Sequence, residues 1–192
     1  MSRIVAGTAG GSPLVSVPGD GTRPTTDRVK EALFSRLESM NMLAGTRVLD
    51  LYAGSGSLGI ESASRGAKSV ELIEFNDKAA AVCQRNAELV NKVLKSKIVT
   101  VQRSKVESFL ARVADAGVDQ WDLVFMDPPY PLTEEELSLV LELLGPRLSP
   151  YAVVVVERSA RTPEPTWPDS MNLLAAKKYG ETRLWFAEPA GD

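Results

Sequence analysis

The sequence predicts an α/β fold: a doubly wound, mainly parallel sheet of Rossmann-like type. Three observations carry this. From Thr46 onward, five β-like stretches alternate with helical ones. The first of them runs into a glycine-rich turn, Gly54-Ser55-Gly56-Ser57-Leu58-Gly59. The fourth, Asp122-Leu123-Val124-Phe125-Met126, is the short apolar run expected of a strand covered on both faces. At 192 residues, 44% hydrophobic and 24% charged, the chain suits one well-buried core with a small appendage.

Residues 1–24 set short β-like pieces, Arg3–Ala6 and Leu14–Val17, among Gly7, Gly10, Gly11, Gly19 and Gly21, which reads as a hairpin with loops. Pro24-Thr25-Thr26-Asp27 then opens a helix, with hydroxyl residues at its start and an acid facing the positive helix end. Val29, Ala32, Leu33, Leu37 and Met40 recur at helical spacing and mark a core-facing stripe. Strands follow at Arg47–Leu51, Ser69–Glu74, Ile98–Gln102, Asp122–Met126 and Ala152–Glu157. Helices lie between them at Ser57–Ser64, Asp77–Asn91, Lys105–Ala114 and Thr133–Leu144. Arg161 to Asp169, with three prolines, is a loop. Leu173–Tyr179 and Thr182–Ala187, joined by Gly180-Glu181, form an antiparallel hairpin added at one sheet edge. The chain divides into an extension, 1–40, and a catalytic domain, 41–192.

Composition removes several kinds of chemistry. There is no histidine, which excludes Ser-His-Asp and Cys-His catalysis and any His-ligated metal, so no metal is expected and general bases must be carboxylates or lysines. The single cysteine, Cys83, forbids an intrachain disulfide, fits a reducing compartment and reads as a helix packing residue. The longest apolar run, Tyr151 to Val156, is too short to span a bilayer, and the first 25 residues lack a signal peptide's apolar region; a cytoplasmic protein without membrane association is expected. A net charge of −3 and a pI near 5.2 argue mildly against a nucleic-acid partner. Residues 1–40 soften this, carrying five basic and four acidic side chains.

Gly54, Gly56 and Gly59 spell G-x-G-x-x-G after a strand, and Glu74 follows Gly54 by 20 residues at the end of the next strand. That is the dinucleotide pattern, and an NAD-dependent oxidoreductase is one reading. Asp50, just ahead of the loop, argues against it, because a carboxylate there repels a pyrophosphate. The sulfonium and α-ammonium groups of S-adenosylmethionine (AdoMet) would instead be attracted. Glu74 can accept hydrogen bonds from ribose hydroxyls, and adenine would lie against Phe75 or near Lys105-Val106.

Asp127-Pro128-Pro129-Tyr130 ends the fourth strand. The prolines stiffen the turn, so that the Asp127 carboxylate, the carbonyls and the Tyr130 ring are held together at a strand's carboxyl end, where open α/β sheets bind ligands. The acceptor this suggests is a planar exocyclic amine: Asp127 and the Pro128 carbonyl accept its N–H groups, and Tyr130 stacks on the base.

Asp50-Leu51-Tyr52-Ala53-Gly54-Ser55-Gly56 with Asp127-Pro128-Pro129-Tyr130 resembles the class I methyltransferases that modify amino nitrogens. The segment Arg23 to Phe34, with Arg3-Ile4-Val5-Ala6-Gly7 before it and Tyr179-Gly180-Glu181-Thr182 late in the chain, resembles the bacterial RsmD family of 16S rRNA (guanine-N2) methyltransferases. The resemblance implies AdoMet as cofactor, a guanine acceptor in 16S rRNA or the 30S subunit, and an N-terminal hairpin and helix that help hold RNA. The catalytic set is then Asp127, Pro128, Pro129 and Tyr130. The cofactor set is Asp50, Ala53, Gly54, Ser55, Gly56, Glu74, Phe75, Asn76, Lys105 and Val106, and the RNA-binding set is Arg3, Arg23, Thr25 and Arg28. Many class I enzymes carry an acid after the third strand to hold adenine; Arg103-Ser104-Lys105 offers none, which points to backbone contacts. A monomer is expected. DNA adenine or protein glutamine methylation, and a non-catalytic RNA-binding module, remain as rival readings.

Overall fold

The computed structural model describes residues 2–19, 26–117 and 120–191. Its central sheet has seven strands in the order β5-β4-β3-β6-β7-β9-β8. These are β3 (Arg47–Leu51), β4 (Ser69–Glu74), β5 (Val99–Arg103), β6 (Trp121–Met126), β7 (Leu148–Ser159), β8 (Met171–Tyr179) and β9 (Thr182–Pro189). β3 to β7 run parallel, and β9 and β8 are antiparallel additions. The strand order reverses between β3 and β6, which are direct neighbours, so the sheet has its topological switch where the two sequence motifs end.

Alternation along the strands assigns each helix to a face. Val48, Leu72, Leu123, Phe125, Val153 and Val155 pack with α1 (Asp27–Ser39), α2 (Ser57–Ser64) and α3 (Asp77–Leu94). The intervening Leu49, Ile73, Val124, Met126, Val154 and Val156 pack with α4 (Val106–Ala116) and α5 (Glu134–Leu144). A sheet buried on both faces needs such runs.

The arm, residues 2–19, pairs β1 (Ser2–Arg3) with β2 (Pro13–Leu14), shorter strands than the sequence predicts. Ile4, Ala9 and Leu14 are buried in the same core as α1 and α2. Gly7, at φ +85, lies so close to α2 that a Cβ there would fall 2.0 Å from the Ser64 carbonyl oxygen. In α1, capped by Thr26, the buried set is Lys30, Leu33, Phe34 and Leu37, whereas Val29 and Met40 of the predicted stripe are only partly covered. The stripe misses Lys30 because its charge has a buried partner.

β7 is longer than predicted. Leu148 pairs with Trp121 across an irregular register, a stretch that Ser149-Pro150 disguises as a loop. The hairpin turn is as predicted: Tyr179 pairs with Thr182, and Gly180 takes φ +61.

Candidate active site

The glycine loop is built on its own hydrogen bonds. Asp50 is 2% exposed, and its Oδ2 accepts the Gly59 N–H at 3.0 Å. Burial raises its carboxyl to about 8, against the stabilising Gly59 bond and with a further push from Glu74. Gly54 donates to Glu74 Oε1 at 2.9 Å, and Gly56 donates to the Ala53 carbonyl at 2.8 Å. Ala53 in turn donates to the Ile73 carbonyl at 2.9 Å. The N–H groups of all three fingerprint glycines are therefore taken by carboxylates and a carbonyl, and none of the three is offered to a pyrophosphate.

The three glycines do different work. Gly54, at φ +60, has open space where a Cβ would stand, so a ligand can approach its backbone. Gly56, at φ +84, lies over Leu72 and the buried Cys83, whose Sγ would be 3.0 Å from a Cβ. At Gly59 a Cβ would fall 2.4 Å from Leu72 Cδ2, so this glycine lets α2 approach the sheet closely.

Glu74 gathers the rest of the cofactor set. Beyond the Gly54 bond, its Oε2 accepts the Phe75 and Asn76 N–H groups at 2.8 and 3.1 Å. Three of about four acceptor positions are thus filled. Asn76 caps α3 through Ala79 N–H, which commits its side chain locally. Phe75 is 54% exposed, with Lys105 Nζ 5.4 Å from its ring centroid. Val106 is buried, so only its backbone is available to a ligand.

The tetrapeptide stands directly beside this loop. Leu51 pairs with Met126 and Met126 with Val156, so Asp127 continues β6 between Tyr52 and Glu157. Its carboxyl is raised well above the ordinary range by burial, and further by Glu157 and Asp50, while Arg158 opposes the shift. Pro128 is buried, and Pro129 and Tyr130 are exposed, with Tyr130 at 71%. The turn is closed by the Leu132 N–H to the Pro129 carbonyl at 3.0 Å and by a Thr133–Glu136 capping box on α5.

Several site residues lie outside the predicted set. Arg158, nearly buried, holds Glu134 at 2.7 Å and the Leu132 carbonyl at 3.4 Å, anchoring the turn to β7. Tyr52 has φ +59 and a buried hydroxyl without a hydrogen-bond partner among the described residues. That is backbone strain of the kind stored at functional sites. In the RNA-binding set, Arg3 pairs with Asp27 at 3.6 Å and Arg28 is exposed. Arg23 and Thr25 lie outside the described residues. Hydrophobic patterning could not find Arg158, but a basic residue closing an apolar strand beside an acid was a readable signal.

A family model described as conserved hypothetical protein 95 matches residues 2–188. The ribosomal RNA small subunit methyltransferase D of Haemophilus influenzae is 36% identical over 180 residues, covering 93% of this chain and 89% of the relative. The chain belongs to the RsmD family. The Escherichia coli RsmD protein is 34% identical over 194 residues, 99% of this chain and 92% of the relative. A solved methyltransferase structure from Escherichia coli covers 97% of both chains at TM-score 0.79 and 30% identity. RsmD membership thus rests on the whole chain, arm included, and assigns it to the methyltransferases.

Proposed function

We propose that this enzyme methylates the exocyclic N2 of a guanine in 16S rRNA, within the 30S subunit or an assembly intermediate, using AdoMet. The observation that carries the reading is the placement of Asp127 beside the Asp50–Gly59 loop at the topological switch, where an amine on one side meets a donor on the other. The residues fit AdoMet. The loop holds no phosphate nest, Gly54 is open to close approach, and the buried Asp50, raised to about 8 in the ligand-free protein, would be drawn into its charged form beneath a cationic ligand. Asp50, Ala53, Gly54, Ser55 and Gly56 would hold the methionine part, and Glu74 the ribose. With three acceptor positions filled, Glu74 takes one hydroxyl directly and a second once the Gly54 N–H yields. Phe75 and Lys105 flank the adenine position, with backbone contacts from Asn76 and Val106.

AdoMet supplies a methyl carbon bonded to a sulfonium, so the N2–C bond forms as the C–S bond breaks. The chain's own residues prepare the amine. Asp127 and the Pro128 carbonyl accept its two N–H groups, which draws the nitrogen lone pair out of the ring, and Asp127 takes the proton that the new bond makes acidic. Its raised carboxyl suits a proton acceptor. Tyr130, held out in solvent by the stiff turn, offers a ring to a base extruded from its helix. Arg3 and Arg28, with Arg23 and Thr25, would hold the RNA backbone, making residues 1–40 the RNA-contacting extension of a methyltransferase domain at 41–192.

The test uses tritiated AdoMet with 30S particles, free 16S rRNA, DNA and protein in parallel. Label in 2-methylguanosine is expected. Label in 6-methyladenosine, or only in protein, would overturn the guanine assignment. Thermal stabilisation by NAD and not by AdoMet would overturn the cofactor.

A further inference from the structure

Two buried polar side chains each hold the N-terminal arm with one end of their hydrogen-bonding capacity and the glycine loop with the other. Asn86, on α3, is 0% exposed. Its Oδ1 accepts the Val15 N–H at 2.8 Å, and its Nδ2 donates to the Val15 carbonyl and to the Ser55 carbonyl, each at 2.9 Å. Lys30, on α1, is 1% exposed. Its Nζ donates to the Arg3 carbonyl at 3.0 Å and to Ser57 Oγ at 2.9 Å, and pairs with Glu61 at 3.1 Å. Ser55 and Ser57 are the residues on either side of Gly56, whose φ of +84 makes the turn. Both flanks of the cofactor turn are thus tied to the arm, through different helices.

Neither link is replaceable by water while the arm is docked. A buried amide or ammonium holds its position because all its partners are present, and it is costly to leave part-satisfied. Lifting the arm would take two of three hydrogen bonds from Asn86 and the Arg3 carbonyl from Lys30, which keeps Ser57 and Glu61, so the hold on Ser55 loosens most and that on Ser57 in part. Arg3 carries both ends of such a link: its guanidinium lies at the surface, with the side chain 64% exposed, while its carbonyl receives Lys30. A phosphate gripped by Arg3 therefore stabilises the strand that orders Ser57.

We propose that Asn86 and Lys30 are positioning residues that couple the arm to the glycine loop, so that RNA docking on the arm and cofactor binding at the loop strengthen each other. The proposal rests on the reading above of loop and arm as the AdoMet and RNA sites. Coupling of this kind is reciprocal, and a factor of about 5 or more is typical.

The experiment measures S-adenosylhomocysteine affinity by equilibrium dialysis, with and without 30S particles, for the wild type, Asn86→Ala and the control Val90→Ala. Val90 is a buried apolar residue on the same helix. The wild type should bind about 5-fold or more tightly with 30S present. Asn86→Ala should bind the ligand alone several-fold more weakly and lose the 30S effect, whereas Val90→Ala should keep both. Equal affinity with and without 30S in the wild type, or equal losses in the two variants, overturns the proposal. A wild type that binds no S-adenosylhomocysteine overturns the site reading instead. If Asn86→Ala does not fold, hydrogen exchange on the wild type decides: saturating S-adenosylhomocysteine should slow the Val5, Ala6 and Val15 amides and leave those of β8 unchanged. Unchanged arm amides overturn the coupling.

Discussion

Asp127, half-buried, and Asp50, fully buried, both have raised carboxyl pKa, yet they carry different expectations. Asp127→Asn should lower methyl transfer by about 10²-fold or more, the usual size of a lost proton acceptor, while AdoMet affinity stays within about 3-fold. Single-turnover rates and dialysis separate the two quantities; a matching loss of cofactor affinity would mean that Asp127 shapes the loop and not the acceptor. Asp50 bears on stability. Its folded carboxyl, near 8, lies above the unfolded value of 3.8, so the folded state binds the extra proton. Its stabilising contribution is complete below about pH 4 and is lost as pH rises to about 8, at up to about 1.4 kcal/mol per pH unit. In the ligand-free protein Asp50→Asn should flatten that slope in urea titrations at pH 5, 6, 7 and 8, and saturating AdoMet should flatten it in the wild type by favouring the charged form.

At the scale of elements, the sequence shows strands and helices well because their apolar periodicity is local. β3, β4 and α2 fall at their predicted bounds. The misreadings occur where a distant partner overrides local pattern. The apolar stripe leaves out Lys30, but Glu61, 0% exposed, receives it together with Arg65 and the Val5 and Ala6 N–H groups. Burial alone would raise the Glu61 carboxyl, but the Val5 bond and Lys30 hold it below its usual range. Glu61→Gln leaves Lys30 uncompensated in the core, and a loss of about 3–5 kcal/mol in urea unfolding is expected. A loss under 1 kcal/mol would mean that water enters behind the arm. At the site, the DPPY motif and glycine loop were legible because they are contiguous. Asn86 and the strained Tyr52 were not, because their roles exist only once helices and strands are assembled, and Arg158 showed only as a basic residue closing an apolar strand, not as the anchor of the turn.

For the molecule as a whole, charge limits how it finds RNA. A chain of net charge −3 has no overall excess of positive charge to attract phosphates, and on the proposed reading Arg3 and Arg28 offer the exposed contacts of the described part of the arm and α1. Weak attraction for naked RNA favours a substrate whose shape is already set by ribosomal proteins. Methylation should be faster on assembled 30S particles than on protein-free 16S rRNA at physiological salt, and equal initial rates on both would count against that view.

The one thiol of the chain offers something of practical use. Cys83 Sγ is sealed directly beneath the Gly56 turn, and burial raises its pKa. Lifting of the turn is the direct route to it for a thiol reagent, so the labelling rate of the unmodified enzyme becomes a clock for loop opening, with no engineered probe. Adding AdoMet should slow that clock in proportion to site occupancy; labelling that proceeds at the same rate with the cofactor saturating would place the opening elsewhere, in α3.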